Sequence, residues 1–255
     1  MRRLLAALFC LCVLPPLAQA EMLVAAMSRS RIDITSNFTG AELAVFGSVE
    51  RDAATIARAS GYDVVVTVRG PRGAVTVREK ERVGPFWLNT DSRKYIATPS
   101  FVAVLSNRPL AEIAAAELRD KLRIGVDTLV TAQGARSKAI DEEEPDFRRA
   151  LIRIRRDQGL FSDRDDAVSF LTPTLFKATL FVPGAAPLGP YDVDLALFAD
   201  GAQLAKTTLS FRVIKSGSEE AVAAYARTNP FFYGLAAAAI ALLVGWLASV
   251  VFRRD

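Results

Sequence analysis

From Thr228 to Phe252 the chain carries no charged side chain, and the run closes on Arg253 and Arg254. At about 1.5 Å per residue, a helix from Phe231 to Phe252 reaches roughly 33 Å, enough to cross about 30 Å of hydrocarbon with a slight tilt. The segment 230–252 is therefore read as a transmembrane helix. Asn229 can cap its start, and Pro230 suits the first helical position, where a missing N–H costs nothing. Tyr233 and Trp246 fall towards its two ends, as interfacial aromatics do. The arginines of the 253–255 stub mark the cytoplasmic side, so the bulk of the chain lies across the membrane from them.

The other end agrees with that orientation. Arg2 and Arg3 precede an apolar stretch from Leu4 to Leu14, followed by Pro15-Pro16 and the small-residue pattern Ala18-Gln19-Ala20. These are the three parts of a secretory signal, with 1–20 removed after Ala20. Both cysteines, Cys10 and Cys12, lie within it, and the chain has no histidine. The exported segment is thus expected to lack thiols, disulfides and imidazoles. The expected topology is a single-pass membrane protein with the exported domain on the side away from the cytoplasm.

The net charge of +4 would favour an acidic or nucleic-acid partner if it were spread over a folded surface. Arg2, Arg3, Arg253 and Arg254 carry most of it, and residues 21–229 are close to neutral. No nucleic-acid partner is expected; the partners expected are the lipid bilayer and, through the span, a membrane protein or a second copy of the chain.

Within the exported segment, period-two alternation marks strands. Ile32 and Ile34 alternate with polar neighbours, Leu43 and Val45 follow, Asp63 to Arg69 is rich in valine, and Val75 and Val77 begin a fourth strand after Gly70-Pro71-Arg72-Gly73. Late in the chain, Phe176 to Val182, Tyr191 to Leu197 and Ala205 to Val213 read as three strands of a meander, and Tyr191 suits a tyrosine corner. Seven strands fit an immunoglobulin-like β-sandwich over 21–217. Residues 83–170 read as a mostly helical insertion: Ser106 to Arg123 is rich in alanine, leucine and charge, and Phe147, Ala150, Leu151 and Ile154 fall on one face of a helix beginning at Pro145 and stopping at Gly159. Two consecutive small domains are the alternative. Ser218-Glu219-Glu220 opens a short juxtamembrane helix over 218–229. The fold class is therefore mainly β, α+β overall, with a helical insertion and one C-terminal transmembrane helix.

Catalytic signatures are scarce. Without histidine or cysteine, Ser-His-Asp and Cys-His chemistry and imidazole or thiolate metal sites are excluded from residues 21–255. No phosphate-binding glycine motif occurs, and no cofactor is expected. Asp163, Asp165 and Asp166 lack the glycine and closing glutamate of a calcium loop and read as a solvated loop. Asp192 and Asp194 sit two apart on a strand and read as its polar face, although paired carboxylates could serve a hydrolase acting on an envelope polymer. Arginines between Arg148 and Arg156 read as a mixed-charge helix face. Trp87, in Gly84-Pro85-Phe86-Trp87-Leu88-Asn89, is either a binding aromatic at the surface or, more simply, a core anchor at the sandwich edge. The most specific contact signal is the stripe Gly234, Ala238, Ala241, Gly245 and Ala248, whose small side chains permit close helix approach in lipid.

Three blocks, "SRIDITSNFTGAELAVFGSVE", "GPFWLN" and "FFYGLAAAAIALLVGWLASVVFR", resemble a family of alphaproteobacterial transmembrane proteins of unknown function. The resemblance implies one exported domain, one C-terminal span, a bacterial inner membrane with the domain in the periplasm, and an association with sulfite-type exporters that makes a transporter the implied partner; it brings no activity and no catalytic residues. Together these readings favour a non-catalytic, membrane-anchored binding or accessory module, with a carboxylate-dependent hydrolase as the alternative.

Overall fold

The segment Asp63-Val-Val-Val-Thr-Val-Arg69 is too apolar for either side of a strand to face water, and it lies at the centre of the fold. The computed structural model describes residues 21–35, 38–50, 61–130, 144–216 and 218–251. The signal expected over 1–20, the acids 141–143 and the stub 253–255 lie outside these residues. Seven strands come first: β1 (Met22–Met27), β2 (Arg31–Ile34), β3 (Gly40–Glu50), β4 (Asp63–Arg69), β5 (Arg72–Val83), β6 (Phe86–Pro99) and β7 (Val102–Ser106). Four helices follow, α1 (Leu110–Ile113), α2 (Ala116–Leu122), α3 (Val126–Leu129) and α4 (Glu144–Asp157). Then come β8 (Phe161–Arg164), β9 (Val168–Phe170), β10 (Leu175–Pro183), β11 (Gly189–Ala199) and β12 (Ala202–Lys215), and the chain ends in α5 (Ser218–Thr228) and α6 (Pro230–Val251).

Two sheets share one core. A four-stranded sheet runs β1-β3-β10-β9, and a six-stranded sheet runs β2-β12-β11-β4-β7-β8. Val64, Val66 and Val68 on β4 are direct partners of Leu197, Leu195 and Val193 on β11. They join Leu43 and Val45 of β3 and Phe176, Leu180 and Val182 of β10 in a continuous hydrophobic cluster. Strands β3 and β10 alternate buried with more open positions, so their sheet packs through one face. The second face of the six-stranded sheet is covered by helices, which contribute Ile113, Val126, Phe147 and Leu151 to the same cluster. This explains why β4 and β7 are buried on both sides. The chain is mostly β, and its paired sheets are compatible with an immunoglobulin-like arrangement.

Three sequence expectations are revised. The late meander is one hairpin only: β11 and β12 pair through Asp200-Gly201, both with positive φ as a two-residue turn demands, but β10 pairs with β3 in the other sheet. The link 184–188 crosses between sheets. Gly184 leaves no room there, because a Cβ would lie 2.8 Å from the carbonyl oxygen of Phe38. The helical segment is narrower than 83–170. Residues 86–99 and 102–106 are strands β6 and β7, and 161–164 and 168–170 are β8 and β9. Strand β6 carries no period-two signal because it is exposed along most of its length, which removes the alternation that burial imposes. Finally, α4 buries Phe147, Leu151 and Ile152, whereas Ile154 is largely exposed.

Strands β5 and β6 form a separate two-stranded hairpin. Its root is packed, with Val77, Tyr95 and Thr98 buried, and a register shift there coincides with Ala97, which takes a φ of 59°. The root sits at a defined corner of the six-stranded sheet. Gly70 donates its N–H to Phe101, Pro71 abuts Gly189, and Gly189 is the register partner of Val213 near the end of β12. The hairpin and the segment leading to α6 therefore leave from the same end of one sheet.

Candidate functional site

Every residue from Arg78 to Thr90 on the hairpin is exposed. The turn is Gly84-Pro85, with Gly84 at a φ of 63°, the sign that a two-residue turn of the II′ kind needs at its first position. Around it stand Val83, Phe86, Trp87 and Leu88, exposed by 51%, 68%, 67% and 51%. Trp87 is thus at the surface and does not anchor the core. Register pairs put Arg82 opposite Trp87, Lys80 opposite Asn89 and Arg78 opposite Ser92, so the three cations and the indole share one face. Glu79 and Glu81 pair with Asp91 and Leu88 on the other. The alternation of basic and acidic residues from Arg78 to Arg82 continues the strand begun at Val75 and Val77 into Gly84-Pro85, and the return strand β6 has two wet faces.

A groove of about 460 Å³ runs between this hairpin and α4, lined by Val77, Arg78, Glu79, Phe147 and Arg153 among others. Arg93 lies over the Phe147 ring, 5.1 Å from its centroid, which fixes α4 on the hairpin stem. Mixed charge at its rim suits packing between two elements more than recognition of one ionic ligand.

The aspartates behave unlike a catalytic pair. Asp192 is exposed, but Asp194 is only 8% exposed, on the face beneath the helices. Arg69 donates to its carboxylate, Lys206 approaches within 3.0 Å, and Thr208 donates at 2.8 Å. A carboxylate so surrounded is held as an ion-pair partner. Asp63 is similar. Burial pushes its pKa up, but donation from Arg108 and Asn107, at 2.7 Å and 3.0 Å to Oδ1, and the Arg108 charge hold it below the usual carboxylate value. Asp163 accepts from Arg156 at 2.7 Å and is lifted above the usual value by burial. No group of three acidic, histidine or cysteine side chains suited to a metal occurs among the described residues, so Asp163, Asp165 and Asp166 do not converge. Of the arginines on α4, Arg149 pairs with Asp146 on the helix and Arg155 donates to Gln158 just beyond it.

Helix α6 is the one described helix long and apolar enough to cross a membrane, and none of it is buried by the other described residues. Gly234, Ala238, Ala241, Gly245 and Ala248 all lie on its exposed surface, and nothing approaches within 4 Å of a Cβ placed at Gly234 or Gly245. Tyr233 donates its N–H to the carbonyl of Asn229, so the helix starts at the Asn229-Pro230 junction, with α5 ending one residue earlier.

The chain matches the family described as "Putative transmembrane protein (Alph_Pro_TM)" over residues 22–254. No curated protein matches it. The match spans nearly the whole sequence, and the chain belongs to that family.

Proposed function

We propose that this member of the transmembrane family is a non-catalytic accessory module, held by α6 in a bacterial inner membrane with its β-rich domain on the periplasmic side, where it supports a membrane protein such as a transporter. The observation that carries the reading is the uncovered surface of α6 with its small-residue stripe from Gly234 to Ala248, which offers a neighbouring helix close approach. The engagement of Asp63 and Asp194 by cations also favours a structural role for the buried carboxylates over acid–base work.

The test is purification of the full-length chain in mild detergent, with mass spectrometry of what accompanies it. A co-purifying membrane protein that is lost from the Ala238→Leu/Gly245→Leu variant supports the proposal. Recovery of the chain alone, as monomer or dimer, or a partner indifferent to the substitutions, overturns it.

A further inference from the structure

A hairpin that ended in water would be expected to carry a polar tip; this one carries Val83, Phe86, Trp87 and Leu88. None of these side chains is covered by another part of the described fold, although the hairpin root is well packed. The apolar tip is therefore built to be covered by something else.

Three observations identify what covers it. First, the hairpin root and the end of β12 lie at one end of the six-stranded sheet, and β12 leads through α5 into the membrane span. Second, the lengths agree. Helix α5 is 11 residues long, about 17 Å at 1.5 Å per residue. The exposed hairpin from Val77 to Gly84 reaches about 23 Å at 3.3 Å per residue. A tip of that reach can touch the bilayer from which the domain is suspended. Third, Arg78, Lys80 and Arg82 line one hairpin face with Trp87 at its end, the order of charge and aromatic that headgroups and the interfacial layer accept. The tip is exposed on both faces, which suits a deformable lipid surface better than a preformed protein pocket.

We propose that the β5–β6 tip is a second membrane contact: Phe86, Trp87, Val83 and Leu88 enter the interfacial layer of the leaflet on the domain's side, and Arg78, Lys80 and Arg82 meet anionic lipid headgroups. Because α6 already holds the domain at the surface, insertion is intramolecular and a weak contact suffices. Two points of attachment would fix the orientation of the domain over the membrane. This inference rests on the membrane anchor alone and needs no accessory partner.

The chain has two tryptophans, Trp87 and Trp246, so Trp246→Phe leaves Trp87 as the sole indole reporter. The full-length variant is reconstituted into vesicles of phosphatidylcholine, with and without phosphatidylglycerol, and into the same lipids brominated along the acyl chains. The expected result is blue-shifted Trp87 emission, protected from acrylamide and quenched by brominated lipid, more strongly with phosphatidylglycerol. Arg78→Gln/Lys80→Gln/Arg82→Gln, confined to exposed positions, should abolish that phosphatidylglycerol-dependent gain, as should high salt. Water-like emission with full acrylamide access in both lipids overturns the proposal. So does protection that appears only when a co-purified membrane protein is added. A phosphatidylglycerol gain unchanged in the triple variant overturns the headgroup contact.

Discussion

Tyr191 donates its phenol proton to the carbonyl oxygen of Pro187 at 2.7 Å, inside the link that carries the chain from one sheet to the other. The ring is fully buried, stacks on Phe211 at 4.9 Å between centroids and tilts against Phe101 at 5.6 Å. Burial pushes the phenol up, so the hydroxyl stays a donor through the physiological range. Tyr191→Phe keeps the packing and strands one carbonyl, at a cost of about 1–2 kcal/mol. Tyr191→Ala also opens a cavity where three aromatics meet and should cost about 3–5 kcal/mol. Urea denaturation of the two variants in detergent measures the difference; equal losses would remove the hydrogen bond from the explanation.

Gly47 faces Phe176 directly across β3 and β10, and a Cβ on Gly47 would come within 2.3 Å of that ring. Its φ is not positive, so space and not backbone freedom requires glycine there. Gly47→Val should destabilise by about 1–3 kcal/mol through overpacking. Combining it with Phe176→Leu should recover part of that loss in a double-mutant cycle, because the two positions share one volume.

Asp194 and Asp192 occupy the same strand face with opposite environments. Asp194→Ala leaves Arg69 and Lys206 beside a vacated site, and since Lys206 is half exposed the expected loss is about 3 kcal/mol. Asp192→Ala, at an exposed position, should change stability by less than about 0.5 kcal/mol. Thermal unfolding of both variants checks the contrast. Comparable losses would contradict the burial of Asp194.

Asp63 sets an acid dependence whose sign follows from its lowered pKa. The folded value lies below the ordinary 3.8, so its ion pair with Arg108 contributes stability above that value. The contribution is lost as pH falls through the folded pKa. Asp63→Asn should therefore lower stability at neutral pH and flatten the stability curve below about pH 4. An unchanged acid limb would assign that limb to other carboxylates.

Some of this molecule was legible in its residues. The span from Pro230 to Val251 needed only length and the absence of charge, because a bilayer imposes one requirement on every side chain facing it. Strands β3, β10, β11 and β12 showed themselves through period-two alternation, and the helix of Phe147 and Leu151 through its 3.6-residue spacing. Turn positions such as Asp200-Gly201 and Gly159 were equally local, since only a few residue types tolerate positive φ. The first strand of the β5–β6 hairpin was legible from Val75 and Val77, but β6 was not, because a strand exposed on both faces carries no burial pattern.

The sequence by itself determined the span, the helix of Phe147 and Leu151 and the strands with a clear burial alternation, since those depend on periodicity and on backbone limits within a few residues. Tertiary structure alone decided which strands share a sheet, that Asp194 lies beneath the helices with Arg69 and Lys206, and that Trp87 stands uncovered at a tip instead of in the core. Pairing and burial are set by partners far along the chain. Asp194 meets Arg69 only because β11 lies beside β4, and Trp87 stays exposed because no other described residue packs over the hairpin tip.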